Sequence, residues 1–491
     1  MIPFWDYWHI LATTGLAILV ASLAAVVYCV TVHPLAKFPG PRSAAASGLF
    51  VFYHDVFVGG KLHLELQRLH NLYGPIVRIG PNELHICRPE AYDQVYRVGS
   101  KATKWSCQRR TEISLFFSRQ SVLALEDVLS RPILKLHARL LTAAAAQTSQ
   151  PEVIPLERAY RCVSLDSVSE ISFGRSFDFM AKKDFGKPMH ESVEDSLRTI
   201  CTIRHFPLLV PVFNNIPLWL MRLAGDKLSA VRMMKEFSQQ AAQSALESTS
   251  DNSARTIITE IVNANKTRGT TVNRQRLEDE SLSLIAASAD TVGNALTVAT
   301  YHLLKPENED ILRKLEEELK GALPTNSLIC PRYDELSDLP WLTAVVKEAL
   351  RMSYGLVGRL PRVVPEAGMV VLGQHIPASS VVSMSAYLQH NDLAVFPEPG
   401  RFQPQRWLGQ EEKQKTNLNR YMVGFGKGSH NCVGSTMAYS IIYKTLATIH
   451  LSFELKVEGD ITDEDMQYED RFLGLHAKGS RRLAVSVRRV Y

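Results

Sequence analysis

With 491 residues, 46% of them hydrophobic and 8% aromatic, the chain has the composition of a large folded protein, which excludes a disordered or fibrous one. Its 55 basic and 50 acidic side chains leave a formal charge of +5 with no long Lys/Arg run, too weak a footprint to grip phosphate backbones, so nucleic acid is not an expected partner. The cysteines stand at positions 29, 87, 107, 162, 201, 330 and 432 with no C-x-x-C pair, a usage that disfavours a disulfide framework or zinc knuckle and fits a reducing compartment.

From Ile10 to Val32 no residue is charged, about 34 Å of helix at roughly 1.5 Å per residue, enough to span a bilayer with modest tilt. A cleaved signal peptide is the rival reading, yet its apolar region runs only about 7–15 residues behind a basic start, whereas residues 1–9 hold Asp6 and no Lys or Arg. Trp5, Tyr7 and Trp8 supply an aromatic belt, and the first cations, Lys37 and Arg42, follow the segment, which places the bulk of the chain on the cytosolic side. The expected organisation is a lumenal stretch 1–9, a transmembrane anchor 10–32, a hinge 33–42 and a single large domain 43–491. In the hinge, Phe38-Pro39-Gly40-Pro41 removes backbone donors and fixes φ, so no helix continues through it. The sequon Asn265-Lys266-Thr267 falls on the cytosolic side of this topology and is read as chance.

Residues 76–86 alternate around Gly80-Pro81-Asn82, a hairpin signature. Segments 121–145, 227–249, 277–304, 307–321 and 340–353 carry apolar residues at helical spacing. A second strand-rich patch, 363–384, is broken by Gly368, Gly373 and Pro377. The expectation is a mainly helical body with small sheets and no internal repeat.

The most informative stretch is Phe425-Gly426-Lys427-Gly428-Ser429-His430-Asn431-Cys432-Val433-Gly434, whose cysteine opens an apolar helical run from Val433 to Leu451. Glycines let backbone approach a flat ligand closely. A cysteine at a helix N-terminus has its thiolate favoured by the helix dipole, giving a soft anionic metal ligand. The bland alternative is a tight turn holding a buried structural cysteine. Glu348 and Arg351 share one helix face at i, i+3 spacing, an arrangement that taken alone is a solvated surface pair. Asp290-Thr291 sets an acid beside an alcohol, a pair able to relay protons.

These stretches, in this order and spacing, resemble the cytochrome P-450 monooxygenases over residues 35–491. The loop resembles the family's F-G-x-G-x-R-x-C-x-G, with His430 in place of the arginine and Ala438 continuing the match. The resemblance implies the cytochrome P-450 fold, haem b with Cys432 as its axial thiolate, and Phe425, Gly426, His430, Gly434 and Ala438 around the cofactor. Glu348-Ala349-Leu350-Arg351 resembles E-x-x-R, and Pro404-Gln405-Arg406-Trp407 resembles the element whose arginine completes a buried Glu–Arg–Arg network, so Glu348, Arg351 and Arg406 are implied as scaffold. Ala287-Ser288-Ala289-Asp290-Thr291-Val292 resembles the oxygen-activating stretch, with Asp290 and Thr291 in the catalytic role. Ser288 stands where the family has a glycine that lets the helix widen, and Val292 replaces a second hydroxyl. By resemblance Trp105, Arg109 and Arg359 serve the haem propionates, Arg110 being a register alternative to Arg109. A histidine at 430 donates fewer hydrogen bonds than an arginine, and the stretch from Tyr96 to Trp105 is shorter than usual where a substrate-covering loop would lie.

The resemblance is to microsomal members, and in detail around 356–365 and 396–407 to fungal members of secondary metabolism. It implies an endoplasmic reticulum location, a lipophilic terpenoid or polyketide substrate, O2, and an NADPH-dependent reductase with cytochrome b5 as a further donor. No G-x-G-x-x-G joins a strand to a helix, so electrons must come from a partner. Two other functions stay open at this point: a haem-thiolate isomerase or dehydratase that does not use O2, motivated by Ser288 and Val292, and a non-catalytic membrane-tethered helical protein, motivated by His430 and the short loop.

Overall fold

Apolar residues on either side of Pro81-Asn82 pair as the antiparallel strands Ile76–Gly80 and Glu83–Ile86, with Ile76 opposite Ile86 and a register shift between Arg78 and Gly80. The computed structural model describes residues 4–490 except 97–112, 115, 147–151, 207, 209–210, 212–215, 218, 221–228, 248–255, 289, 324–329 and 410–416. Within the described residues the chain is mainly helical with small sheets, as expected. It divides into two compact units, the first comprising Met1–Lys104, Gly358–Gln389 and Lys427–Ser429, the second Trp105–Val357, His390–Gly426 and His430–Tyr491.

In the first unit the hairpin widens into a four-stranded sheet when Val381–Ser383 lies parallel to Glu83–Ile86 and Arg362–Val363 pairs beyond it. The predicted strand-rich patch is thus split between this sheet and a separate ribbon, Met369–Val371 with Gln374–Ile376. A helix, Phe4–Thr31, opens the chain, and its Leu11–Thr31 stretch has a mean hydropathy of 2.1, none of it buried, long and apolar enough to cross a membrane. The Pro-rich segment after it is packed against the sheet: Leu35 and Phe38 are buried, and the Pro39 carbonyl accepts the Arg78 N–H at 2.7 Å. The Arg78 side chain is itself buried and donates to the carbonyls of Cys29 at 2.8 Å, Gly80 at 3.3 Å and Pro81 at 2.6 Å. One guanidinium therefore ties the end of the apolar helix to the hairpin turn.

The second unit is built on helices whose apolar faces close one large core. Leu156–Phe173 is buried at most of its positions and ends where Gly174 turns left-handed. Thr291–Leu303 is buried from Val292 onward except at Asn294, and Pro340–Ser353 and Ser435–Ser452 pack around it. Two ribbons complete the unit, Phe453–Val457 with Val485–Arg489 and Tyr468–Arg471 with Leu473–His476.

Helix 340–353 lies where its pattern places it, but two predicted helices are interrupted. Segment 121–145 divides at Leu125 into Arg119–Ala124 and Glu126–Ala145, the first capped by the Ser118 hydroxyl, which accepts the Ser121 N–H at 3.2 Å. Segment 277–304 divides into Arg274–Ser288 and Thr291–Leu303, with Asp290 as the N-cap residue of the second. Asn265 is buried, its amide donating to the Ile261 carbonyl and accepting from the Thr270 hydroxyl, so the sequon is occupied by structure.

Replacing Arg78 with Leu leaves the Cys29, Gly80 and Pro81 carbonyls without this donor, and the expected cost is about 1–3 kcal/mol, read as a lowered denaturation midpoint of the full chain.

Candidate active site

The helix Pro340–Ser353 starts with proline at its first position and ends in left-handed backbone at Tyr354 (φ 61°) and Gly355 (φ 67°). A Cβ at 355 would lie 2.1 Å from the Gly424 carbonyl oxygen, so only glycine lets the chain before the cysteine loop press against this helix end. The loop then closes on itself: the Gly426 N–H donates to the Val423 carbonyl at 2.8 Å, and the Cys432 N–H donates to the Phe425 carbonyl at 2.7 Å. Gly426 has φ +66°, and the Phe425 ring is tilted against Tyr439 at 5.1 Å.

The helix beyond begins at Ser435, after the N-cap Gly434, rather than at Val433. Cys432 stands ahead of the first turn because its N–H is already given to the Phe425 carbonyl, and the dipole contribution expected at a helix N-terminus is reduced accordingly. Among the described cysteines Cys432 alone is exposed; Cys162, Cys201 and Cys330 are buried, Cys29 and Cys87 half-buried. The bland reading of Cys432 as a buried structural thiol is therefore overturned. His430 is exposed at the end of a single turn, Gly428–His430, and Ala438 makes the first intrahelical hydrogen bond, its N–H donating to the Gly434 carbonyl at 2.9 Å.

These residues fit a haem. The sulfur is a soft donor at an accessible position, Gly426 and Gly434 present bare backbone, and a Cβ at 434 would meet the Phe117 ring at 3.5 Å.

Behind the loop, Glu348 and Arg351 are both fully buried, so the surface-pair reading fails. Arg351 donates to the Glu348 carboxylate from Nε at 3.0 Å and Nη2 at 2.9 Å, Arg406 donates from Nε at 3.2 Å, and the Gln403 backbone N–H donates at 3.0 Å. Trp407, which sequence reasoning did not assign, adds its indole N–H at 2.9 Å. Arg351 also donates to the carbonyls of His390 at 3.0 Å and Arg401 at 3.3 Å. Burial pulls the Arg406 guanidinium pKa below its usual value although Glu348 opposes the shift.

Asp290 and Thr291 are not hydrogen-bonded to each other; each side chain has a different partner. Asp290 is buried with Oδ1 3.0 Å from Arg161 Nε, and Arg161 is shared with Glu157 at 3.0 Å and Glu194 at 2.8 Å. Arg482 faces the same two glutamates, at 3.1 Å each. Burial raises the Asp290 carboxyl above its ordinary range although Arg161 opposes the shift. Burial disfavours the Arg161 charge, yet Asp290, Glu157 and Glu194 hold the guanidinium protonated. Oδ2 of Asp290 is buried and has no hydrogen-bond partner among the described residues. The Thr291 hydroxyl donates back to the Ala287 carbonyl at 3.1 Å. Ser288 does not prevent the helix from opening: its carbonyl accepts the Ser164 hydroxyl at 2.7 Å instead of a helical N–H.

Arg359 lies in the first unit, where Nε and Nη2 donate to the Glu83 carboxylate at 2.6 and 3.2 Å; Glu83 also accepts the Ser383 hydroxyl at 3.1 Å. Glu83 reaches Arg359 through the parallel pairing with Val381–Ser383, a contact with no signal in sequence. Trp105, Arg109, Arg110 and the short stretch before them lie outside the described residues, as does Ala289.

A family model described as cytochrome P-450 matches residues 90–480. The conidiogenone synthase of Penicillium rubens is 30% identical over 489 residues, 95% of this chain and 96% of that protein. The cytochrome P-450 monooxygenase claJ of Penicillium crustosum is 32% identical over 443 residues, 85% of this chain and 99% of its own length. The monooxygenase tpcC of Cochliobolus heterostrophus is 32% identical over 455 residues, 86% and 84% of the two chains.

Glu348→Ala strips the common acceptor from two buried guanidiniums and an indole, and should cost on the order of 3–5 kcal/mol in chemical denaturation. Because the Asp290 carboxyl titrates above its ordinary range, the stability it contributes is complete below that range and is lost as pH rises through the raised value. Asp290→Asn should remove this loss, so the variant's thermal midpoint should gain on the wild type's as pH rises.

Proposed function

Since the chain belongs to the cytochrome P-450 family, whose members are haem-thiolate enzymes, we propose that Cys432 is the axial thiolate of a monooxygenase that inserts one O2-derived oxygen atom into a lipophilic substrate. The observation that carries this reading is the exposed Cys432 sulfur on a loop closed by its own N–H. When bound, haem supplies reductive O2 activation, with the second oxygen atom leaving as water. Phe425, Gly426, His430, Gly434 and Ala438 line its place, and Trp105, Arg109 and Arg359 are assigned to the propionates. Glu348, Arg351 and Arg406 hold the loop in position and touch no substrate.

Asp290 is the proton carrier. A carboxyl raised by burial holds a proton near neutral pH better than an exposed one, and its unpartnered Oδ2 is the atom that would release it. Arg161, facing Oδ1, stabilises the carboxylate left behind. The Thr291 hydroxyl is the next group in the relay, since a hydroxyl accepts and donates in turn. The opening of the helix between Ser288 and Thr291 favours oxygen chemistry over an O2-independent isomerase or dehydratase, because the departure at Ser288 that motivated that alternative leaves the interruption in place.

The substrate class is a terpenoid or polyketide skeleton; its place in fungal secondary metabolism is in keeping with relatives such as the conidiogenone synthase of Penicillium rubens and claJ of Penicillium crustosum. Electrons come from an NADPH-dependent reductase, with cytochrome b5 as a second donor, and Leu11–Thr31 anchors the protein in the endoplasmic reticulum with 43–491 as the cytosolic catalytic domain.

The reduced, CO-bound protein should show the red-shifted thiolate band and Cys432→Ala should lose it; an unshifted spectrum from the wild type sinks the proposal. Asp290→Asn should keep the band and the haem while turnover falls by roughly 10²–10⁴-fold, the range of acid–base contributions, measured as product formed per haem per unit time with reductase and NADPH in excess.

A further inference from the structure

The buried network around Glu348 continues toward the cysteine loop through one side chain, His390, which is fully buried. Its Nδ1 is 2.8 Å from the Arg351 carbonyl, its Nε2 is 2.9 Å from the Val423 backbone nitrogen, and its own carbonyl accepts from Arg351 Nη1 at 3.0 Å. A backbone N–H can only donate, so Nε2 is the bare nitrogen and Nδ1 carries the proton given to the Arg351 carbonyl. The partners dictate a single tautomer. Burial and the nearby Arg351 guanidinium push its pKa down to about 3, which keeps the ring neutral. Tyr354 stacks on it at 6.2 Å, Phe396 meets it edge-on at 6.1 Å, and a Cβ at Gly424 would lie 3.8 Å from its Cε1.

Val423 is the first residue of the closed turn. Its carbonyl takes the Gly426 N–H, and the next turn closes when Cys432 donates to Phe425. The segment from 423 to 432 is therefore pinned at one end by the imidazole and at the other by the amide of the cysteine itself.

We infer that His390 is a positioning residue for the Cys432 sulfur: its one neutral tautomer is the hydrogen-bonded link by which the helix Pro340–Ser353 sets the placement of the loop. The consequence for a thiolate ligand rests on the haem reading above; the link itself does not. A phenylalanine would fill the same space but leave the Val423 N–H and the Arg351 carbonyl unmet, whereas a glutamine offers both an acceptor and a donor.

The test uses the full-length holoprotein with His390→Phe and His390→Gln. The first readout is the rate at which the CO-bound thiolate band converts to the shorter-wavelength thiol form in mild denaturant; the second is deuterium uptake by peptides spanning 417–426 and 435–452. His390→Phe should convert about tenfold faster, the equivalent of one buried hydrogen bond, with uptake rising in 417–426 and unchanged in 435–452. His390→Gln should stay close to wild type. Conversion by His390→Phe at the wild-type rate, or by His390→Gln as fast as His390→Phe, overturns the proposal. Should His390→Phe fail to fold, the imidazole nitrogen-15 spectrum of the wild type decides: a bare Nε2 with a protonated Nδ1 supports the link, and any other state overturns it. A wild type without the CO band removes the haem reading, while uptake and tautomer still judge the link.

Discussion

A fully buried carboxylate is tolerated only if every lone pair is served, and Glu348 meets that condition with donors from two arginines, an indole and a backbone amide. Those donors come from two separate stretches, the helix that carries Glu348 itself and the turn 403–407. Neither stretch can shift without stranding a charge. From this fixed point the constraint passes outward along Arg351 to the carbonyls of His390 and Arg401, and through the tight approach of Gly355 to Gly424, until it reaches the turn that bears Cys432. The accessible sulfur is held by main-chain geometry prepared behind it.

The same logic runs the other way at Asp290. There a carboxyl is buried beside a guanidinium that three carboxylates share, and one of its oxygens is left without a partner among the described residues. Glu348 is saturated with donors, whereas Asp290 is under-satisfied and its carboxyl is raised by burial. Two buried acids in one unit thus differ in the number of donors each receives.

Much of this was legible in the residues. The hairpin at 76–86 and the helix 340–353 follow from local pattern, because alternation, capping and glycine placement act over a few residues, whereas the ordered motifs through Cys432 were legible by resemblance. The charged groups that orient these motifs were not legible. Arg161, Glu83, Trp407 and His390 lie far along the chain from the partners they meet, and nothing in periodicity links position 161 to 290 or 83 to 359. The division of the long helix at Ser288 was hidden for the same reason, since it depends on a hydroxyl at Ser164 supplied by another helix. The helix start at Ser435 was missed by two residues because the hydrogen bond that delays it is made by a loop carbonyl seven residues before the cysteine.

The arginine at 78 bears on how the apolar N-terminal helix is processed. Its Nη1 proton is received by the carbonyl of Cys29, inside the stretch that a leader peptidase would discard. A polypeptide shortened beyond that point would leave the buried Arg78 guanidinium without one of the carbonyls it donates to. A retained helix leaves that hydrogen bonding whole.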